Sequence, residues 1–205
     1  MAAPESTRNL ILANAATAVF AIVFRWPLDT LLWPFWFQSV VIGWYSYRRI
    51  LALKQFSTDN FTINDSPVPE NEESQRKVAR FFALHFGFFH VFYFFVLSAR
   101  VAALTLWDWL ALIPMGVTFV FTHRASYRLN LEEDEQGRPN IGTLMFLPYA
   151  RVIPMHLMVI IGAEFGQVNA AVLLLFVALK TGADVVMHHV EHRVLKSSGT
   201  PKLSN

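Results

Sequence analysis

Long apolar segments separated by short polar stretches follow one another along the chain. A helix needs about 20 predominantly apolar residues to cross the ~30 Å hydrocarbon core of a bilayer. The stretches between the apolar segments lack the alternation of apolar and polar residues that is typical of strands. The pattern predicts a single all-α domain over residues 1–205, a polytopic integral membrane bundle of six transmembrane helices. The six segments are Leu10–Phe24, Leu31–Leu53, Val78–Leu97, Val101–Phe121, Leu144–Gly162 and Val168–Val190.

The composition favours the same class of protein. Hydrophobic residues make up 54% and charged residues 16% of the 205 residues, whereas soluble domains average about 25% charged residues. The mean hydropathy is +0.38. These values exclude a soluble enzyme and a disordered chain. Because the chain has no cysteine, a disulfide scaffold and a thiolate metal site are also excluded.

The basic residues indicate how such a bundle is oriented. Six spans place both termini on one side, together with every Lys and Arg except Arg25 and Arg100. Basic residues concentrate on the cytoplasmic side of membrane proteins. Both termini are therefore predicted to be cytoplasmic and the protein to lie in the inner (cytoplasmic) membrane. The expected partners are membrane lipids and, as an open alternative, further copies of the chain, while nucleic acid is not expected.

Two polar loops interrupt the apolar pattern, at residues 57–75 and 130–140, and both fall on the cytoplasmic side. Each is acidic and contains proline. Charged loops of this kind are usually solvated connectors. A docking patch for a soluble partner is the alternative interpretation.

Ionisable side chains inside the predicted spans are the strongest functional signal, because such groups are costly in hydrocarbon and usually serve function. Counted from the charged residue at which each helix enters the membrane, His85, His156 and His188 lie about 7 Å deep at ~1.5 Å per residue. Asp184 lies roughly 6 Å deeper than His188 by the same rise. Imidazole and carboxylate ligands suit Zn²⁺ or iron. The sequence therefore predicts a metal site formed by His85, His156, Asp184 and His188.

Further polar residues surround this set. In the sixth segment, Lys180, Asp184, His188 and His192 recur every four residues and share one helical face. Lys180 and Asp184 could also form a simple ion pair on that face. The predicted orienting or proton-transferring catalytic residues are His90, Glu191 and His192, and the predicted contacts to a substrate headgroup are Tyr149, Arg151 and Lys180.

Three motifs resemble those of a bacterial and archaeal family of small polytopic membrane proteins, known as a domain of unknown function. They are HFG at His85, PYARVIPMH at Pro148–His156 and KTGADVVMHHVEH at Lys180–His192. The resemblance covers most of Arg76–Arg193 and implies a shared site without an established activity. The pattern of the family's sixth helix is matched here by Lys180, Thr181, Asp184, His188, Glu191 and His192.

The ligand set also has a looser chemical likeness to two other groups of membrane enzymes. Integral-membrane ceramidases and adiponectin-type receptors hold zinc between helices with three His, an Asp and a Ser, but their seven helices are not matched here. Fatty-acid desaturases bind two irons through about eight His, and the HHVEH run at His188–His192 resembles their histidine motifs only in part. The chain is not identified as a member of either group.

Three functions follow as alternatives. The favoured one is a metal-dependent membrane enzyme, of hydrolase or oxygenase type, that acts on a lipid or other apolar substrate. The second is a proton-coupled transporter or channel in which the His/Asp/Lys stripe relays protons. The third is a haem-binding or structural subunit, since His85 and His156 lie on facing helices.

Overall fold

The structure is a computed structural model that describes residues 15, 19, 22–23, 28–100, 105–165, 174–175, 177–183 and 185–186. The described residues between 174 and 186 are helical, and the prediction of an all-α fold is confirmed. A hairpin of two-residue strands lies between the first two long helices. The named elements are α1 (Leu28–Ala52), β1 (Thr62–Ile63), β2 (Ser66–Pro67), α2 (Glu72–Arg100), α3 (Leu106–Gln136) and α4 (Ile141–Phe165).

The four long helices coincide with the second to fifth predicted segments. Two of them contain stretches that are long and apolar enough to cross a membrane, Glu72–Ala99 and Leu106–Gln136. The first predicted segment and most of the sixth lie outside the described residues. The number of six spans therefore stays a prediction.

Side-chain caps fix where the helices begin and end. Asn71 accepts a hydrogen bond from the Ser74 amide at the start of α2, and Asn140 accepts one from the Thr143 amide at the start of α4, both at 2.9 Å. At the C-terminal end of α1, the side-chain nitrogen Nε2 of Gln75 donates to the backbone carbonyls of Ile50 (2.8 Å) and Leu53 (2.9 Å). These bonds satisfy backbone groups that a helix end leaves open.

The predicted loop at 130–140 is mostly helical. Helix α3 continues to Gln136 and ends at Gly137. The run LEEDEQ over residues 131–136 contains no residue that breaks a helix, so its charge alone did not end the helix. The connection to α4 is correspondingly short.

The predicted loop at 57–75 is a packed segment whose last four residues belong to α2. Its turn, Asn64–Asp65, has positive φ at both residues, as a two-residue hairpin turn requires. The Ser57 amide donates to the Pro139 carbonyl, and the Ser57 carbonyl accepts from the Ile141 amide, both at 3.0 Å. Glu70 accepts a hydrogen bond from Arg138. The connection between α1 and α2 and the connection between α3 and α4 are therefore hydrogen-bonded to each other at one end of the bundle.

Helix α1 lies at the centre of the bundle and packs against α2, α3 and α4. The contacts fix the directions of the helices. Trp36 of α1 reaches the carbonyl of His90, whereas Ile50, farther along α1, meets Gln75, earlier on α2. Helices α1 and α2 are therefore antiparallel.

The outer surface of the bundle is strongly apolar. Leu84 is 77% exposed, Phe88 is 66% exposed and Trp107 is 73% exposed. Several polar residues lie inside instead, including Gln38, Ser39, Arg49, His90 and Lys180. An apolar outer surface of this extent is unusual for a protein folded in water.

Candidate functional site: histidine–tyrosine pairs between two helices

Two hydrogen bonds between histidine and tyrosine connect α2 to α4. His85 of α2 lies with its Nδ1 atom 2.9 Å from the hydroxyl of Tyr149 on α4. Farther along, the hydroxyl of Tyr93 on α2 is hydrogen-bonded to Nδ1 of His156 on α4. The pairs are reciprocal, since each helix supplies the histidine of one pair and the tyrosine of the other.

The pairs lie at different depths in the bundle. Both helices advance in the same direction from the first pair to the second, so α2 and α4 are parallel. Tyr93 follows His85 by roughly 12 Å, and His156 follows Tyr149 by roughly 10 Å, at ~1.5 Å per residue. The pairs therefore form two rungs about two helical turns apart.

This spacing does not bring His85 and His156 together, although the sequence placed them at one level. The predicted depth of His156 was counted from Arg151 as the entry point of its helix. Helix α4 starts at Ile141, well before Arg151, so His156 lies deeper than that count gave. Its partner at the same level is Tyr93, which the sequence analysis missed.

His90 lies on α2 between the two rungs and is buried. Its Nδ1 atom is 2.8 Å from the carbonyl oxygen of Phe86. A carbonyl only accepts, so Nδ1 carries the proton and Nε2 of the neutral ring has a free lone pair. Nε2 is buried and has no hydrogen-bond partner among the described residues.

Aromatic contacts hold the His90 ring in place. It stacks on Phe86 with the ring centroids 4.2 Å apart, and Phe86 in turn meets the edge of Tyr149 at 5.4 Å. The backbone is tied as well, because Trp36 Nε1 donates to the His90 carbonyl at 2.9 Å. The unpartnered nitrogen is therefore a fixed feature of the interior.

Lys180 lies inside the bundle and is only 2% exposed. Its ammonium group is 5.2 Å from the centroid of the Phe35 ring on α1, a favourable contact of a cation with an aromatic face. The sequence analysis assigned Lys180 to a substrate headgroup. The structure places it among buried side chains of the core.

The remaining predicted site residues are not all described. Asp184, His188, Glu191 and His192 lie outside the described residues. Arg151 lies within α4, and its side chain is outside the described part as well. Among the side chains that the structure does describe, no three His, Cys, Asp or Glu residues come close enough to hold a metal ion.

A buried ion pair joins α1 to α3 near the polar connections. Arg49 donates from Nε to one carboxylate oxygen of Asp134 at 2.7 Å and from a terminal nitrogen to the other at 2.9 Å. The side chains are only 7% and 6% exposed. Sequence reasoning missed this pair because it assigned Asp134 to a solvated loop.

Comparison with known proteins gives one match. A family described as a family of unknown function (DUF6498) matches residues 3–200. No curated protein and no solved structure gives a significant match.

Proposed function

The chain belongs to a family of unknown function, DUF6498, and we propose that it is an integral membrane protein that transfers protons along histidine and tyrosine side chains that link two of its helices. The observation that carries the proposal is the pair of reciprocal histidine–tyrosine rungs between α2 and α4.

The distribution of side chains supports a membrane location. Two helices are long and apolar enough to cross a bilayer, and large apolar side chains cover the outside of α2 and α3. Lipid is the solvent in which exposed phenylalanine and leucine are stable, while ionisable groups usually face the interior of a bundle. His90 and Lys180 are buried accordingly, whereas His85 and His156 are exposed in the described structure. Six spans with both termini in the cytoplasm are part of this proposal.

Each rung has the chemistry of a proton-transfer pair. A tyrosine hydroxyl donates to Nδ1 of an imidazole whose proton is on Nε2, and it accepts from Nδ1 when that atom is protonated. The hydrogen bond therefore persists while the ring gains or loses a proton. Histidines inside membrane helices are typical members of proton relays.

The depth of the rungs favours transfer across the bilayer. The sequence alone placed His85, His156 and His188 at one level, about 7 Å deep at ~1.5 Å per residue. The Tyr93–His156 rung lies roughly 12 Å beyond His85 at ~1.5 Å per residue, in a hydrocarbon core about 30 Å thick. His90, whose free Nε2 can accept a proton, lies between the rungs. The polar groups thus extend through much of the bundle.

Proton flux into liposomes tests the proposal. The purified chain is reconstituted with a pH-sensitive dye inside the vesicles, and a potassium diffusion potential drives protons inward. We expect acidification faster than in empty liposomes. Tyr93→Phe removes the hydroxyl of one rung and should slow it by about tenfold or more, since a positioned proton-transfer group contributes at least that much.

A matched variant separates proton transfer from folding. Tyr47→Phe removes a hydroxyl from α1, outside both rungs, and should leave the flux unchanged. The same flux in Tyr93→Phe as in the unmodified chain would remove the rung from the pathway. Flux no faster than in empty liposomes, with folded protein present, would overturn the proposal.

A metal-dependent membrane enzyme acting on a lipid or other apolar substrate is the second candidate. The free, buried Nε2 of His90 favours it, because metal binding requires a neutral imidazole nitrogen with a lone pair. A zinc or iron ion would activate water and polarise a carbonyl. One ion cannot bind both His85 and His156 across roughly 12 Å of helix, so the ligand set would combine His90 with Asp184 and His188 of the sequence prediction.

Metal content decides between the two candidates. If the chain is a metalloenzyme, protein purified without chelators should contain about one zinc or iron atom per chain by mass spectrometry, as a single catalytic site requires. His188→Ala should lose this metal and remain extractable and folded. No zinc or iron in the unmodified protein would contradict the metal site.

A further inference from the structure

Arg48 of α1 and Arg124 and Arg128 of α3 lie near Tyr127 on the outer surface formed by these two helices. The guanidinium carbon of Arg48 lies 5.7 Å from the centroid of the Tyr127 ring. Arg124 lies three residues before Tyr127 and four before Arg128, so it is a neighbour of both on the surface of α3. The structure thus brings three arginines close to one another on this surface, one of them over the Tyr127 ring.

The three arginines form no ion pairs with described residues, whereas neighbouring basic residues do. At the same end of the bundle, Arg49 is paired with Asp134, Lys54 with Glu135 and Arg138 with Glu70. Arg48, Arg124 and Arg128 are exposed, and none of them has an ion pair with any described residue. Glu132, one turn beyond Arg128, makes no ion pair with it. The surface therefore presents an uncompensated positive charge.

The neighbouring side chains place this surface at the level of lipid headgroups. Phe121, one turn before Arg124, is 64% exposed, and Trp44, one turn before Arg48, is 57% exposed. The ring of Tyr45 packs against that of Tyr127 in a tilted arrangement, with the centroids 5.2 Å apart. Tryptophan and tyrosine beside arginine at the end of an apolar helix are typical of the membrane–water interface.

We propose that Arg48, Arg124, Tyr127 and Arg128 form a binding surface for the headgroup of an anionic phospholipid in the cytoplasmic leaflet. The inference rests on the membrane location in the proposed function. Guanidinium groups bind phosphate oxygens through two parallel hydrogen bonds. Basic surfaces between helices on the cytoplasmic side bind such headgroups, and the exposed Phe121 and Trp44 would contact the acyl chains.

Lipid titration of the full chain in detergent tests the surface. Binding of fluorescent phosphatidylglycerol is compared with that of phosphatidylcholine and with competition by inorganic phosphate. We expect phosphatidylglycerol to bind at least about tenfold more tightly than phosphatidylcholine. The triple variant Arg48→Gln, Arg124→Gln, Arg128→Gln should weaken phosphatidylglycerol binding by about a hundredfold, at roughly fivefold for each basic residue.

The control removes the same charge from cations that are already paired. Lys54→Gln, Arg76→Gln and Lys77→Gln replace residues bonded to Glu135, Glu72 and Glu73, and this variant should bind phosphatidylglycerol nearly as well as the unmodified chain. Equal loss in both variants would show nonspecific attraction and overturn the proposal. Inorganic phosphate that competes as well as the lipid would overturn it in favour of a free-anion site.

The outcome is separable from that of the proton-flux experiment. Selective lipid binding without proton flux would refute the proton function and leave the lipid surface in place. A chain that is released from membranes by alkaline carbonate would refute the membrane location and both proposals with it.

Discussion

Asp134→Ala is expected to lower the free energy of unfolding by about 3–5 kcal/mol, the usual cost of removing one partner of a buried ion pair. The Asp134 side chain is 6% exposed and accepts two hydrogen bonds from Arg49. Its removal leaves the Arg49 guanidinium buried without that carboxylate. Such a loss is a large fraction of the stability of a small domain. Thermal and denaturant unfolding of the detergent-solubilised chain measure it.

An exposed pair on the same two helices provides the control. Lys54 and Glu135 lie 2.7 Å apart with side chains 74% and 57% exposed, and Glu135→Ala should cost at most about 1 kcal/mol. The double variant Arg49→Met, Asp134→Leu should recover most of the stability, because well-packed apolar residues can replace a buried pair. Equal losses in Asp134→Ala and Glu135→Ala would show that the buried pair does not stabilise the bundle.

The apolar pattern was sufficient to predict α1 to α4, since each has a long run of residues that must leave water. It was poor at predicting their ends. Charge marked residues 130–140 as a loop, yet Asp134 lies in α3 because it pairs with Arg49 of α1. Pairing between residues far apart in sequence depends on helix register, which one-dimensional patterning does not contain.

The candidate site shows the same limit. The histidines of α2 and α4 were recognised from their position in apolar helices, and the structure places His85 and His156 in hydrogen-bonded pairs with tyrosine. Their partners depend on how far the helices are displaced along each other. Counting depth from a charged residue gave the wrong displacement, because arginine can reach the membrane surface from inside a helix. A tyrosine in a phenylalanine-rich helix carries little signal of its own, so Tyr93 was overlooked.

Gly43→Val is expected to lower the free energy of unfolding by about 3 kcal/mol, the upper part of the usual range for overpacking a core. Gly43 of α1 faces the Phe86 ring of α2, and an added Cβ would lie 2.4 Å from Cε1 of that ring. Phe86 is buried between Phe82 and His90, whose ring centroids lie 5.0 and 4.2 Å from its own. The ring has little room to move, so the helices must separate. Unfolding of the solubilised variant measures the loss.

Gly87 is the matched control, because an added Cβ there meets no atom within 4 Å. Gly87→Val should change stability by no more than about 0.5 kcal/mol, and Phe86→Leu combined with Gly43→Val should restore part of the loss by making room. A Gly43→Val chain as stable as Gly87→Val would contradict the close packing. Because His90 stacks on Phe86 and Tyr149 meets its edge, a displaced Phe86 ring also moves one rung and the free nitrogen of His90. The fit of α1 to α2 at Gly43 thus sets the geometry on which either proposed chemistry depends.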